Sequence, residues 1–182
     1  MIREFFNTKI KKRYKTAYHK FEIPKLRHLL ELKFLNLSYN SWILDDKYFH
    51  RGLKELIYSF DKTKLIHFLN SRDIAFVTAT GQLGCTLTYD VDMDIIIIFP
   101  DLLKMLYSAS PRDGVAILSH EFGHIYHNHS NKNISIIKAQ VEADFFAYQT
   151  GFGKELHEIL LQFNSLDCRT RVTYLTSYLL SN

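Results

Sequence analysis

Apolar residues recur every three to four positions in the first part of the chain, a spacing typical of amphipathic helices. The clearest pattern covers residues 24–37, where Pro24 suits the first turn of a helix. Two shorter patterns, at residues 51–60 and 62–70, predict further helices, and Asp61 is placed to cap the second. This part of the chain is therefore expected to be largely helical.

The pattern changes after Asp73 to short apolar runs that are rich in β-branched residues, which favour strands. Three such runs follow one another at residues 74–80, 85–89 and 94–99. They predict a small sheet, antiparallel or mixed. Because helical patterns lie on both sides of these runs, the sequence indicates an α+β fold.

Helical spacing returns at Ser110 and Pro111, which suit the first positions of a new helix. Four apolar residues of this helix share one face, which we expect to pack on the sheet: Val115, Leu118, Phe122 and Ile125. Three more helices are predicted towards the C-terminus, at residues 133–151, 153–163 and 168–180.

Length and composition predict one packed domain over residues 1–182, with a helical N-terminal region at 1–70 and a core at 73–182. No apolar run reaches the roughly 18 residues of a membrane-spanning helix. Two cysteines cannot build a disulfide framework. These features predict a cytoplasmic protein without a transmembrane segment.

The positive charge is concentrated at the N-terminus. The first 20 residues hold seven Lys or Arg against one Glu, a formal charge of +6, whereas the whole chain carries +4. A solvated helix face is the simplest interpretation of this basic segment, and contact with a partner is the second. Nothing in the pattern clearly indicates nucleic-acid binding.

A candidate metal site lies within the helix that begins near Ser110. His120 and His124 are four residues apart, so their imidazoles project from one face and can share a zinc ion. Glu121 is placed to accept a proton from a water on that ion. Zinc lowers the pKa of such a water from about 15.7 towards roughly 7. The pattern therefore predicts zinc-dependent hydrolysis with Glu121 as the general base.

A catalytic zinc site needs a third protein ligand. On a continuous helix His127 lies about 10 Å along the axis from His120, and His129 points to the opposite side, so neither is expected to bind. The next helix carries Glu142 and Asp144. A carboxylate from this helix would complete the site, and Asp144 suits a hydrogen bond to a ligand imidazole.

The segment from His120 to His129, followed by Glu142-Ala143-Asp144, resembles the HtpX-type zinc metallopeptidases, a minimal gluzincin family. The resemblance covers residues 92–163. It implies a zincin-like fold, in which the small sheet packs on the metal-binding helix and further helices lie N- and C-terminal to it. It also implies Zn²⁺ as the cofactor and a peptide or protein as the substrate.

The chain departs from this family at the third ligand. The family's ligand Glu stands four residues before the Asp, a position that is Gln140 here, whereas Glu142 lies about 200° around the helix from Asp144. Either Glu142 binds after a local displacement, or Gln140 binds through its amide oxygen, or the site keeps two strong ligands and little activity. Glu142 is favoured because an anionic ligand compensates a dication better.

The sequence thus predicts a zinc-dependent endopeptidase that hydrolyses peptide bonds through a metal-activated water. ImmA/IrrE-type peptidases, with a similar His-Glu-x-Gly-His motif, are the second resemblance. The alternative function is a catalytically inactive zincin-fold binding or regulatory protein, which Gln140 supports. Tyr148 and Arg171 are candidates for stabilising the oxyanion. Simple packing is the competing interpretation of Tyr148, and bracing of the last helix is that of Arg171.

Overall fold

A computed structural model describes residues 18–79, 84–88 and 93–181 of the chain. Most of the basic N-terminal segment lies outside these residues, and so does the predicted strand end at residue 80. Within the described ranges the helices are α1 (Ile23–Leu35), α2 (Lys47–Ser59), α3 (Lys62–Asn70), α4 (Pro100–Tyr107), α5 (Pro111–Tyr126), α6 (Ile136–Gln149), α7 (Gly153–Leu160) and α8 (Leu166–Leu180). The strands are β1 (Asp73–Thr78), β2 (Gly84–Thr88) and β3 (Met93–Ile98).

The helices that the apolar pattern predicts are present, with ends that differ by a few residues. Asp61 caps α3 as expected, since its side chain accepts a hydrogen bond from the amide of Lys64. Ser110 occupies the N-cap position of α5, but its side chain makes no capping hydrogen bond. Helix α4 and the 3₁₀ helix Ser38–Leu44 have no counterpart in the prediction, because each is too short for helical spacing to repeat.

The sheet is mixed, which is one of the two predicted arrangements. The strand order is β1-β3-β2, with β3 parallel to β1 and antiparallel to β2. The purely antiparallel alternative is wrong. Strand β3 lies in the middle and pairs with β2 on one side and with β1 on the other. It runs in the same direction as β1 and opposite to β2.

The outer edge of β1 is covered by two side chains from the 3₁₀ helix that follows α1. Asn40, which is fully buried, donates from Nδ2 to the Ile74 carbonyl at 2.8 Å and accepts from the Phe76 amide at 2.9 Å. Trp42 donates from Nε1 to the Phe76 carbonyl at 2.9 Å. These contacts satisfy backbone groups that a further strand would otherwise pair with.

Replacing Asn40 with alanine is expected to lower the free energy of unfolding by about 2 kcal/mol or more. Two buried backbone groups, the Ile74 carbonyl and the Phe76 amide, lose the partner that Asn40 provides, and each unpaired group costs about 1–3 kcal/mol. The Phe34 carbonyl also loses the bond from Nδ2 but still accepts from the Leu37 amide. Urea unfolding followed by circular dichroism measures the change. Asn36→Ala, at an exposed position, is the matched control. Equal midpoints for the two variants would contradict this role of Asn40.

Helix α5 runs through the middle of the core. Eleven of its sixteen residues are buried, including the four of the predicted apolar face. The ring of Phe122 lies 6.1 Å from that of Phe76 on β1 and 5.8 Å from that of Phe34 on α1, so this face packs on helices as well as on the sheet. A helix enclosed in this way holds its polar residues in fixed positions.

None of the helices in the described part of the chain combines the length and the apolar character needed to cross a bilayer.

Candidate metal centre

His120 and His124 meet on the polar side of α5. Their Nε2 atoms are 3.1 Å apart, and the rings are nearly perpendicular. His120 and Glu121 are each only 6% exposed, so these polar side chains sit in a largely dehydrated environment. The predicted convergence of the two imidazoles is therefore present, with Glu121 beside them on the lining of the same pocket.

Asp144 on α6 contacts the Nδ1 side of the His120 ring, opposite the nitrogen that faces His124. Its Oδ1 lies 2.8 Å from His120 Nδ1, and the side chain is fully buried. Arg171 on α8 binds the same carboxylate through two bonds, from Nε to Oδ2 and from Nη2 to Oδ1, both 2.7 Å long. Burial by itself raises the pKa of Asp144, but the hydrogen bonds from Arg171 and His120 outweigh it, and the net pKa is lowered. Asp144 is thus an ionised carboxylate that accepts a hydrogen bond from Nδ1 of His120.

The prediction that His129 points away from the site is wrong. Helix α5 ends at Tyr126, and Asn128 adopts a left-handed conformation with φ of 53°. The chain therefore turns back, and His129 Nδ1 lies 2.8 Å from His124 Nδ1. Asparagine tolerates this backbone conformation better than most residues, which is the signal in the sequence that marks the turn.

Glu142 contacts His129, and the His129 ring lies between Glu142 and His124. Its Oε2 is 2.9 Å from His129 Nε2, and the hydrogen bond from His129 lowers the pKa of Glu142. An ionised carboxylate can only accept, so His129 carries its proton on Nε2. Its Nδ1 then accepts from Nδ1 of His124. Glu142, His129 and His124 form a chain of hydrogen bonds that ends at the His124 ring.

These partners fix the tautomers of both histidines on α5. Burial, together with the charges of neighbouring groups, lowers the pKa of His124 to about 3, so its ring is neutral at pH 7. His120 donates from Nδ1 to Asp144, and His124 donates from Nδ1 to His129, so both rings present an Nε2 lone pair. Two lone pairs 3.1 Å apart repel unless a cation lies between them. The donor set therefore fits a divalent metal such as zinc.

The pocket in front of these histidines has a volume of about 500 Å³. Its polar lining consists of His120, Glu121, His124, His129, Ser130, Gln140 and Arg171. Its apolar lining consists of Ile117, Leu156, Ile159, Leu160, Phe163 and Cys168. A polar floor beside an apolar wall is typical of a site that binds an organic ligand and acts on it.

Gln140, and not Glu142, belongs to this lining. Gln140 is four residues before Asp144 on α6 and shares its face, whereas Glu142 lies on another part of the helix, beside Lys138 and Thr170. Among the described residues, the acidic and histidine side chains whose ligand atoms all lie within 4.8 Å of one another are His127, His129 and Glu142. Glu142 is thus not brought together with the His120 and His124 pair.

The sequence leaves two interpretations open for both Arg171 and Tyr148. The sequence predicts for Arg171 either stabilisation of an oxyanion or bracing of the last helix, and its contacts with Asp144 link α8 to the candidate metal centre. Tyr148 packs its ring 5.9 Å from Phe145 and 5.6 Å from Tyr178. The distance in sequence between Asp144 and Arg171 leaves no local pattern from which their pairing follows.

Gly123, inside the His-Glu-x-x-His segment, packs closely against the backbone of α6. A Cβ at this position would lie 2.8 Å from Ala143 Cα and 2.9 Å from Ala143 O, closer than real Cβ contacts. Glycine and alanine together bring α6 near enough for Asp144 to reach His120.

The C-terminal half of the chain matches a known family. Residues 90–181, half of the 182-residue chain, match the sequence profile of peptidase family M48. No curated protein and no solved structure matches the chain significantly. The matched range contains the two histidines of α5, the carboxylates of α6 and Arg171, so the residues that form the candidate metal centre all fall within it. The chain belongs to peptidase family M48, a family of metallopeptidases.

Proposed function

We propose that this protein is a zinc-dependent endopeptidase of the HtpX type that hydrolyses peptide bonds in the pocket beside α5. The observation that carries the proposal is the pair of Nε2 lone pairs, each turned inward by a hydrogen bond at the opposite ring nitrogen. His120 and His124 would hold the ion. Gln140 lines the same pocket and would supply the third protein ligand through its amide oxygen.

Glu121 is the proposed general base. A bound zinc ion supplies Lewis acidity, which polarises the scissile carbonyl and lowers the pKa of a water. Glu121 accepts the proton of the attacking water and delivers it to the departing amine. Its low exposure favours this task, because a carboxylate with little competing solvent keeps the water in one orientation. Asp144, and Glu142 through His129, orient the two imidazoles.

The substrate is proposed to be an extended peptide that pairs with β2. This strand forms one edge of the sheet and contacts α5, whereas the edge at β1 is covered by Asn40 and Trp42. Backbone pairing with an edge strand binds peptides with little regard to sequence. The apolar wall from α7, with Leu156 and Ile159, favours an apolar side chain next to the scissile bond.

Removal of the metal is expected to abolish hydrolysis of an unfolded protein such as casein. Treatment with a chelator should reduce the rate to that of the buffer, and one equivalent of zinc should restore it, because the ion supplies the electrophile. The measurement is release of new amino groups. His124→Ala should show no recovery with zinc. A rate that the chelator leaves unchanged would contradict the proposal.

A catalytically inactive metal-binding protein is the second candidate function, and Gln140 is the observation that favours it. A neutral amide oxygen is a weaker ligand for a dication than a carboxylate. On this alternative neither the natural protein nor any Gln140 variant hydrolyses peptides, although zinc still binds to the histidines.

Gln140→Glu is expected to strengthen zinc binding about tenfold or more, which corresponds to about 1.4 kcal/mol. The substitution places an anionic oxygen where Gln140 lines the pocket. Competition against a chromophoric chelator measures the affinity, and peptide hydrolysis is followed in parallel. Gln149→Glu adds the same charge at an exposed position of α6 and serves as the control. Equal affinities for the two variants would remove Gln140 from the ligand set.

A further inference from the structure

We propose that His127, His129 and Glu142 form a second metal site, distinct from the one on α5, which takes zinc or a similar divalent ion. Their ligand atoms all lie within 4.8 Å of one another. The rings of His127 and His129 are parallel, with centroids 5.3 Å apart, and Glu142 Oε2 is 2.9 Å from His129 Nε2. Two imidazoles and a carboxylate are the donor types that zinc prefers.

The site needs little rearrangement to close on an ion. Donor atoms on tetrahedral zinc are about 3.3 Å apart, given bond lengths of about 2.0–2.1 Å. His127 and Glu142 are only partly buried, so their side chains can shift, while the turn at Asn128 fixes the backbone between the two histidines. Two cations lie near this site. Lys138 Nζ is 3.9 Å from Glu142 Oε1, and its side chain is largely exposed, so that it can move away. Lys132 interacts electrostatically with all three side chains, and its exposed position lets solvent screen that charge.

An ion at this second site opposes zinc binding at the first through the shared His129. To bind a metal through Nε2, His129 must move its proton to Nδ1. Nδ1 of His129 then donates to Nδ1 of His124. His124 must therefore carry its proton on Nε2, so the lone pair that would bind the first ion is lost. Each ring keeps one proton throughout, so no proton is released. An ion at either site therefore lowers the affinity of the other site, by the same factor in both directions.

This linkage makes the protein sensitive to excess metal. Zinc at low concentration fills the site on α5, and zinc in excess fills the second site and weakens the first. The existence of the second site does not depend on peptidase activity. Its effect on hydrolysis rests on the proposed function.

Zinc stoichiometry tests the proposal. Equilibrium dialysis of chelator-stripped protein should give two equivalents for the natural protein and one for His127→Phe, which keeps the stacked ring but lacks the ligand. His120→Ala, which disables the first site alone, should also bind one equivalent. That equivalent should bind about 5- to 150-fold more tightly than the weaker equivalent of the natural protein, a range typical of coupled sites.

Hydrolysis by the natural protein should fall in excess zinc, and hydrolysis by His127→Phe should not. Equal stoichiometry for the natural protein and His127→Phe would overturn the second site. Equal sensitivity of the two proteins to excess zinc would overturn the linkage. If instead His120→Ala bound as much zinc as the natural protein while His127→Phe bound less, the second site would stand and the proposed catalytic site would fail.

Discussion

Glu121→Gln is expected to lower kcat for the hydrolysis of an unfolded protein by about 10²- to 10⁴-fold, the usual contribution of a general base. The amide has the size and shape of the carboxylate, so it occupies the same buried position, but it cannot accept the proton of a water. Because Glu121 is not one of the proposed ligands, zinc content should stay the same. The measurement pairs the rate of peptide hydrolysis with metal analysis of the same sample.

Glu158→Gln, at an exposed position of α7, is the matched control and should change neither quantity. A Glu121→Gln protein that loses its zinc would make this residue a ligand or a structural support. A Glu121→Gln protein with full activity would leave the general base unassigned. Loss of turnover with retained zinc is the outcome that separates a peptidase from a metal-binding protein without catalysis.

Asp144→Leu is expected to lower the free energy of unfolding by about 3–5 kcal/mol, the cost of removing one partner of a buried ion pair. Arg171 would keep a charge with 14% of its side chain exposed and no carboxylate to bind. The same substitution removes the acceptor that fixes the tautomer of His120, so zinc affinity should fall about 10- to 100-fold. Urea unfolding and competition with a chelator measure the two effects.

The double variant Asp144→Leu/Arg171→Met separates these effects. An apolar pair of similar volume should recover most of the stability, because no buried charge is left without a partner. Zinc affinity should stay low, because His120 still has no acceptor at Nδ1. Recovery of both quantities in the double variant would show that Asp144 supports the fold alone and does not orient the ligand.

The features that could be predicted from the sequence are those that short-range spacing determines. A spacing of four positions from His120 to His124 places the two rings on one side of a helix, and the apolar face with Phe122 follows from the same geometry. The contact of Asp144 with an imidazole of α5 could be predicted because the short connection after α5 brings α6 back beside it.

The error in the direction of His129 arises where a helix ends. A helix that continued past Tyr126 would place His129 on the side away from the site. In the structure α5 ends at Tyr126, and the left-handed conformation of Asn128 turns His129 towards His124. The third ligand stays a prediction: charge compensation favours Glu142, which contacts His129, whereas helical spacing places Gln140 on the lining of the pocket.

Because Gly123 packs closely on Ala143, transferring residues 120–124 alone into another protein would not reproduce this site. In a host helix whose neighbour stood at an ordinary distance, the acceptor for His120 would be out of reach. The smallest transferable piece is the hairpin of α5 and α6 with the turn at Asn128 between them. A design that keeps this pair intact carries the orientation of both imidazoles with it.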